Sequence, residues 1–270
     1  MYQGEDLIIA MGAPGSRWSG AIRILSLMYE DINTSDNNKE WNYEKSVTYT
    51  KYLQATRIED RLDEPNRQIK VGWHRGAYWG PGNPVGDKFD VLDTLTKEEI
   101  VEEFKKPFAN WDHGIKIIKS HWFSYHIPLL RELFPKAIMW SFYDTDKICQ
   151  EWWHTVGGWD ITYPNYDWYK DDDNMLKQIG IENNNIKDNF NLKRYTTWKE
   201  AVKELGFSLD IRTPAEIIDM EPKFLDSFKP SMYSSSENFN KFLDSIFSRK
   251  EMGIITVSYT HLTLPTNTTV

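Results

Sequence analysis

The sequence has few of the features that mark secreted, membrane-spanning or nucleic-acid-binding proteins. Its single cysteine, Cys149, cannot form an internal disulfide and is typical of a reducing compartment. No run reaches about 18 uninterrupted apolar residues, so no transmembrane helix is expected. The 32 basic and 40 acidic residues give a net charge of −8, which argues against a general nucleic-acid binder. Because no basic and apolar leader opens the chain, we expect no secretory signal and a cytoplasmic protein, in the host cytoplasm if the gene is viral.

Strand-like and helix-like segments alternate along the first part of the chain. Residues 8–11 and 136–144 are apolar runs typical of buried strands, and residues 114–121 are a short β-rich run that ends in polar residues. Segments of helical period follow these three runs, at 18–29, 146–156 and 122–134 respectively. A further helix is predicted at 94–106, and residues beyond 170 read as helical. This alternation predicts an α/β fold, a parallel sheet with helices on both faces. We expect one domain over residues 1–256, with an irregular insertion at about 30–92.

The segment Gly12-Ala13-Pro14-Gly15-Ser16 follows the first predicted strand and precedes the first helix. Ligands of open parallel sheets bind outside the carboxyl ends of the strands, where this loop lies. Backbone amides of residues 15–19 can converge on an anion, and the side chains of Ser16, Arg17 and Ser19 add donors. A Walker A motif is absent, since the positions of its second glycine and lysine hold Arg17 and Trp18. The competing interpretation is a plain tight turn.

Three strand ends together resemble the sulfotransferase family. Pro14 to Ser19 stands where that family has Pro-Lys-Ser-Gly-Thr-Thr-Trp, and Lys119-Ser120-His121 is similar to the family's Lys-Thr-His. Phe134-Pro135-Lys136-Ala137 resembles the family's Phe-Pro-Lys-Ala before a strand and a helix. The family lysine of the first loop falls on Gly15, and the arginine and serine that hold the donor's 3′-phosphate fall on Tyr143 and Glu151. The Gly-Ala-Pro-Gly-Ser loop and a His-x-Gly-Ala-Tyr segment also resemble sulfotransferase-like proteins of marine phages, which implies a phage source. The resemblance of residues 257–266 to a sequencing adapter, described below, indicates a metagenomic gene.

The resemblance implies a P-loop NTPase-like architecture and transfer of a sulfuryl group from 3′-phosphoadenosine 5′-phosphosulfate (PAPS). It implies that His121 is the catalytic base and that Lys119 steadies the transferring group. Donor binding would then fall to Tyr143 and to the loop residues Pro14, Gly15, Ser16, Arg17, Trp18 and Ser19. Two simpler interpretations remain open: His121 caps the helix that follows it, and Lys119 points into solvent. A noncatalytic nucleotide- or glycan-binding relative, a P-loop-type phosphotransferase and a virion protein also remain open.

The predicted insertion carries the candidates for acceptor binding. It is rich in tryptophan and tyrosine, and His74, Arg75 and Trp79 lie in a segment rich in glycine and proline. Flat aromatic faces with a few polar groups suit a small hydroxylated molecule or a glycan. The alternative is that these aromatic residues close the core beneath a long loop.

Several other features predict no special chemistry. No histidine has partners at metal-ligand spacing, so no metal is assigned, and mid-helix Cys149 is expected to be a core residue. The acidic triplet Asp171 to Asp173 is read as a solvated helix N-terminus rather than a metal ligand set. Residues 257–266 resemble a translated transposase-type sequencing adapter, and we expect residues 257–270 to be an artefactual tail.

Overall fold

The structure is a computed structural model of the chain. It describes residues 2–16, 18–33, 77–78, 92–105, 108, 110–152, 171–207, 212–213, 215–216 and 235–256. Most of the predicted insertion at 30–92 and the whole predicted tail at 257–270 lie outside these residues. The prediction of one domain over residues 1–256 therefore stays a prediction.

A six-stranded sheet forms the centre of the described fold, in the order β2-β3-β1-β4-β6-β5. Strands β2, β3, β1 and β4 run parallel, as predicted, and β1 lies between β3 and β4. The predicted parallel sheet is confirmed in part, because β6 runs antiparallel to both β4 and β5. The strands are β1 (Leu7–Gly12), β2 (Ala77–Tyr78), β3 (Lys116–Lys119), β4 (Ile138–Tyr143), β5 (Lys193–Arg194) and β6 (Glu251–Ile255).

Seven α-helices are described, and they pack on both faces of the sheet as predicted. They are α1 (Trp18–Met28), α2 (Lys97–Lys105), α3 (Ile127–Leu133), α4 (Asp146–Trp152), α5 (Asp172–Asn189), α6 (Trp198–Leu205) and α7 (Ser236–Phe247). Because side chains alternate along a strand, Ile8 and Ala10 join one hydrophobic cluster with α1, α6 and α7. Leu7, Ile9 and Met11 join a second cluster with α2, α3 and part of α5. Every residue of β1 is buried, which explains its unbroken apolar run.

The predicted helix at 122–134 is two elements. A 3₁₀ helix spans His121–Tyr125, and α3 begins at Ile127 after His126. Pro128 explains the break, because proline has no N–H to continue a helix but fits its first turn. A second 3₁₀ turn covers Leu92–Thr94 and precedes α2, which begins later than predicted.

Side-chain caps fix the helices that carry the polar sequence beyond residue 170. Asp171 caps α5 by accepting a hydrogen bond from the amide of Asn174 at 2.8 Å. The acidic triplet is thus an exposed helix N-terminus, as predicted. Thr197 and Glu200 form a capping box at α6, which ends at Gly206 in the left-handed region. No helix among the described residues is long and apolar enough to cross a membrane.

Candidate functional site

Two neighbouring parallel strands bring the candidate residues to one edge of the sheet. β1 ends in the loop at residues 13–16, and β3 ends at Lys119, followed by Ser120 and His121. The amide of Ser120 donates to the carbonyl of Ala10 at 3.0 Å, which ties the two strand ends together. The first loop and His121 therefore lie at the same edge of the sheet.

The loop after β1 is a tight turn that lies directly on α4. The amide of Ser16 donates to the carbonyl of Ala13 at 3.0 Å. Gly15 has φ +84°, and a Cβ at this position would lie 2.1 Å from the carbonyl oxygen of Cys149. Only glycine fits there, so the side chain of the family lysine has no room at position 15. Cys149 itself is buried, as expected for a core residue.

Ser16 is the loop's unusual polar residue. Its side chain is fully buried, and its Oγ has no hydrogen-bond partner among the described residues. The Oγ lies 2.6 Å from where a Cβ on Gly12 would stand, so Gly12 is needed for this close approach. A buried hydroxyl without a partner costs about 1–3 kcal/mol, and such groups often meet a water or a ligand. Pro14 and Gly15 are buried beside it.

The other predicted donor-binding residues are less informative. Trp18 begins α1 and packs in the hydrophobic cluster on the α1 face of the sheet. Ser19 belongs to α1, and the structure describes its backbone only. Arg17 lies outside the described residues.

Lys119 is buried at the end of β3 and does not point into solvent, so that interpretation is wrong. Its register partner is Ala10, and Ala10 belongs to the cluster on the α1 face. Strand alternation therefore directs Lys119 to the face of the sheet on which Gly12 and Ser16 meet. The position places a buried cation near the end of β1, where an anion would gain from it.

His121 forms a buried pair with a residue that no sequence motif identifies. Its Nδ1 lies 2.9 Å from Oε1 of Glu182, a residue of α5 with no exposed surface. The interpretation that His121 caps the following helix is wrong, because Ser120 is the cap and accepts from the amide of Trp122 at 3.1 Å. His121 turns toward α5 instead.

Two further polar groups support Glu182. Gln178 lies one turn earlier on α5, and its Nε2 donates to Glu182 Oε1 at 2.7 Å and to the Tyr125 hydroxyl at 2.5 Å. Burial raises the pKa of Tyr125, and the charge of Glu182 raises it further. Gln178, Glu182 and Asn183 are the buried polar residues of α5, and Met175, Ile179 and Ile186 are its buried apolar residues. The spacing of four between Gln178 and Glu182, beside apolar positions of the same helix, is the sequence signal for this pair.

A lysine side chain lies beside Tyr143 at the end of β4. Its ring centroid lies 4.8 Å from Nζ of Lys187 on α5, and a hydrogen bond to Tyr143 raises the pKa of that lysine. Tyr143 occupies the position that corresponds to the family arginine, and the Lys187 side chain places a cation beside it. Glu151, at the position of the family serine, is exposed on α4.

The acceptor candidates His74, Arg75 and Trp79 lie outside the described residues. The two-residue strand β2 belongs to the same segment, and Tyr78 is the register partner of Lys119. Ala77 and Tyr78 thus lie beside β3, next to Ile118 and Lys119.

The described residues contain no group of three or more histidine, cysteine, aspartate or glutamate side chains that could hold a metal ion. No protein-family model, curated protein or solved structure matches the chain. The fold and the strand-end cluster define an α/β protein with a mostly parallel sheet and a polar site at its carboxyl edge.

Proposed function

We propose that this chain is a sulfotransferase-like enzyme that moves a sulfuryl group from PAPS to a hydroxyl of a small molecule or glycan. The observation that carries the proposal is the hydrogen bond from the Ser120 amide to the Ala10 carbonyl. It joins the end of β3, which precedes His121, to the end of β1, which precedes the loop at residues 13–16. An anion-binding loop and a histidine at one edge are the two parts that such a transfer needs. The proposed architecture is P-loop NTPase-like, with β1, the loop and α1 as its first unit.

The donor side consists of the loop and Lys119. The buried Ser16 hydroxyl, unpartnered among the described residues, is suited to an oxyanion, and the buried Lys119 offers charge on the same face of the sheet. These residues fit a phosphate or sulfate group. PAPS, when bound, supplies the sulfuryl group. Arg17 is proposed to add a bidentate contact to it.

The acceptor side centres on His121. An imidazole titrates near neutral pH, so histidine serves well as a general base. We assign to His121 the removal of the proton from the acceptor hydroxyl. Sulfuryl transfer needs positioning and charge stabilisation more than covalent catalysis, so no nucleophile of the protein is required. His74, Arg75 and Trp79 are proposed to line the acceptor side.

A noncatalytic relative that binds a nucleotide or glycan is the second candidate. It is favoured by Gly15, whose contact with the Cys149 carbonyl leaves no room for the family lysine. It is also favoured by Tyr143, which stands with Lys187 where the family has an arginine. Binding of a donor analogue without turnover would support this candidate. A P-loop-type phosphotransferase is less favoured, because the Walker lysine is absent from the loop.

The test compares two ligands and two histidine variants. We expect adenosine 3′,5′-bisphosphate to raise the melting temperature, and ATP to leave it unchanged. Release of the bisphosphate from PAPS is then followed with a panel of sugars and phenols as acceptors. His121→Ala should abolish release but keep bisphosphate binding, whereas His126→Ala, a half-buried histidine at the start of α3, should keep both. Release by His121→Ala at the wild-type rate would overturn the proposed role of the base.

A further inference from the structure

The pair of His121 and Glu182 also bears on which nitrogen of the His121 imidazole carries hydrogen. His121 lies at the start of the 3₁₀ helix, and Glu182 lies in the middle of α5. Both residues are buried, and the 2.9 Å distance from Nδ1 to Oε1 is that of a hydrogen bond. A carboxylate without solvent is costly to bury unless its oxygens are hydrogen-bonded.

The chemistry of the pair determines which imidazole nitrogen carries hydrogen. When Glu182 is ionised, its oxygens only accept hydrogen bonds, and Nδ1 of His121 is then the donor. Oε1 of Glu182 also receives an N–H from Gln178 at 2.7 Å, which is the behaviour of an acceptor oxygen. The other imidazole nitrogen, Nε2, is then unprotonated in the neutral ring and is the only one able to take a proton.

The geometry points to Glu182 as the positioning residue that holds neutral His121 in the Nδ1–H tautomer, with Nε2 as the nitrogen that accepts the proton. The role of Nε2 as base rests on the proposed function, whereas the tautomer itself does not. Glu182 touches neither donor nor acceptor in this account; it acts through His121. In the reaction step, Nε2 gains the hydroxyl proton of the acceptor, and the resulting imidazolium is stabilised by the carboxylate at Nδ1.

Gln178 and Tyr125 keep the carboxylate in place. The Gln178 amide donates to both Glu182 and the Tyr125 hydroxyl, so the side chain bridges α5 and the 3₁₀ helix that carries His121. Oε2 of Glu182 is buried and has no hydrogen-bond partner among the described residues. The carboxylate is therefore anchored through Oε1 alone, and loss of the pair with His121 would leave it poorly satisfied.

Nitrogen NMR of the whole chain tests the tautomer without any assay of activity. The six histidines are labelled with ¹⁵N, and the His121 signals are assigned by their loss in His121→Gln. At the alkaline end of a pH series, where the His121 signals no longer change, wild-type protein should show a protonated Nδ1 and an unprotonated Nε2 for His121. A protonated Nε2 and bare Nδ1 in wild-type protein would overturn the proposal by itself.

Variants of α5 separate positioning from packing. Glu182→Gln keeps an oxygen that accepts from Nδ1 and should keep the Nδ1–H tautomer. Glu182→Ala removes the acceptor and should shift His121 toward Nε2–H. Asp188→Ala removes a carboxylate from an exposed position of the same helix and should leave the His121 spectrum unchanged. If Glu182→Ala does not fold, the wild-type spectrum still decides.

Turnover with PAPS distinguishes this inference from the proposed function. If the His121 tautomer depends on Glu182 but the protein transfers no sulfuryl group, the positioning role is supported and the proposed sulfotransferase function is rejected. If sulfuryl transfer requires His121, but Glu182→Ala changes neither kcat nor the tautomer of His121, only the positioning role is rejected. We expect kcat to fall at least about tenfold in Glu182→Ala, with partial recovery in Glu182→Gln and little change in KM.

Discussion

Replacement of Gly15 by alanine should destabilise the protein through backbone strain and through one steric contact. Gly15 has φ +84°, a conformation that costs a residue with a Cβ about 1–2 kcal/mol. The added Cβ would also lie 2.1 Å from the carbonyl oxygen of Cys149, well inside ordinary contact. That oxygen belongs to the backbone of α4, so either the loop or the helix must shift.

Gly206 provides a matched control for the conformational cost. Its φ is +81°, and no atom lies within 4 Å of a Cβ built there. Gly206→Ala should therefore lose only the conformational term, about 1–2 kcal/mol. Gly15→Ala should lose about 2–5 kcal/mol, because forced repacking adds its own cost to that term. The free energies of unfolding are measured by urea denaturation followed by tryptophan fluorescence.

Equal losses of unfolding free energy in the two variants would show that the loop shifts at no cost and that α4 does not hold it in the conformation described. A larger loss in Gly15→Ala, together with weaker binding of adenosine 3′,5′-bisphosphate, would tie the shape of the loop to its proposed function.

Three further predictions concern the loop and a helix cap. Ser16→Ala removes a buried hydroxyl without a partner among the described residues, so the free energy of unfolding should stay the same or rise by about 1 kcal/mol. Bisphosphate binding should weaken. A clear loss of stability would contradict this prediction. Arg17→Ala should weaken bisphosphate binding by about 1.5–3 kcal/mol in calorimetry, and an unchanged dissociation constant would remove Arg17 from the site. Hydrogen bonds from Thr196 lower the pKa of Glu200, so its contribution to stability is present at neutral pH and lost as pH falls through that lowered value. Glu200→Gln should flatten the pH dependence of unfolding below about pH 5, and an unchanged profile would contradict the assignment.

The strands that position the site could be predicted because their local pattern agrees with their environment. β1 and β4 are buried in the parallel part of the sheet, so their sequences are nearly continuous apolar runs. β3 places two isoleucines between two buried lysines. β6 escaped prediction because only five residues form it, and its apolar pattern is interrupted by the partly buried Glu251 and the buried Gly253. Its antiparallel pairing with β4 is a long-range contact that no local pattern encodes.

The site was predictable only in part. The order of strand, loop and helix indicated the loop and His121, because parallel neighbours end at the same edge. Glu182 lies within a polar stretch, "ENNN", that reads as solvated surface, and only the packing of α5 over His121 buries it. The burial of Lys119 also depends on tertiary packing, since a lysine at the end of a short strand normally reaches solvent.

Calorimetric titration with adenosine 3′,5′-bisphosphate tests whether the carboxyl edge of β1 and β3 binds a sulfonucleotide. We expect saturable binding to the wild-type chain. Lys119→Met should weaken it about tenfold or more, while Lys241→Met, the same substitution at an exposed position on α7, should not change it. Absence of binding to the wild-type chain, or equal affinity in the Lys119 and Lys241 variants, would contradict the account.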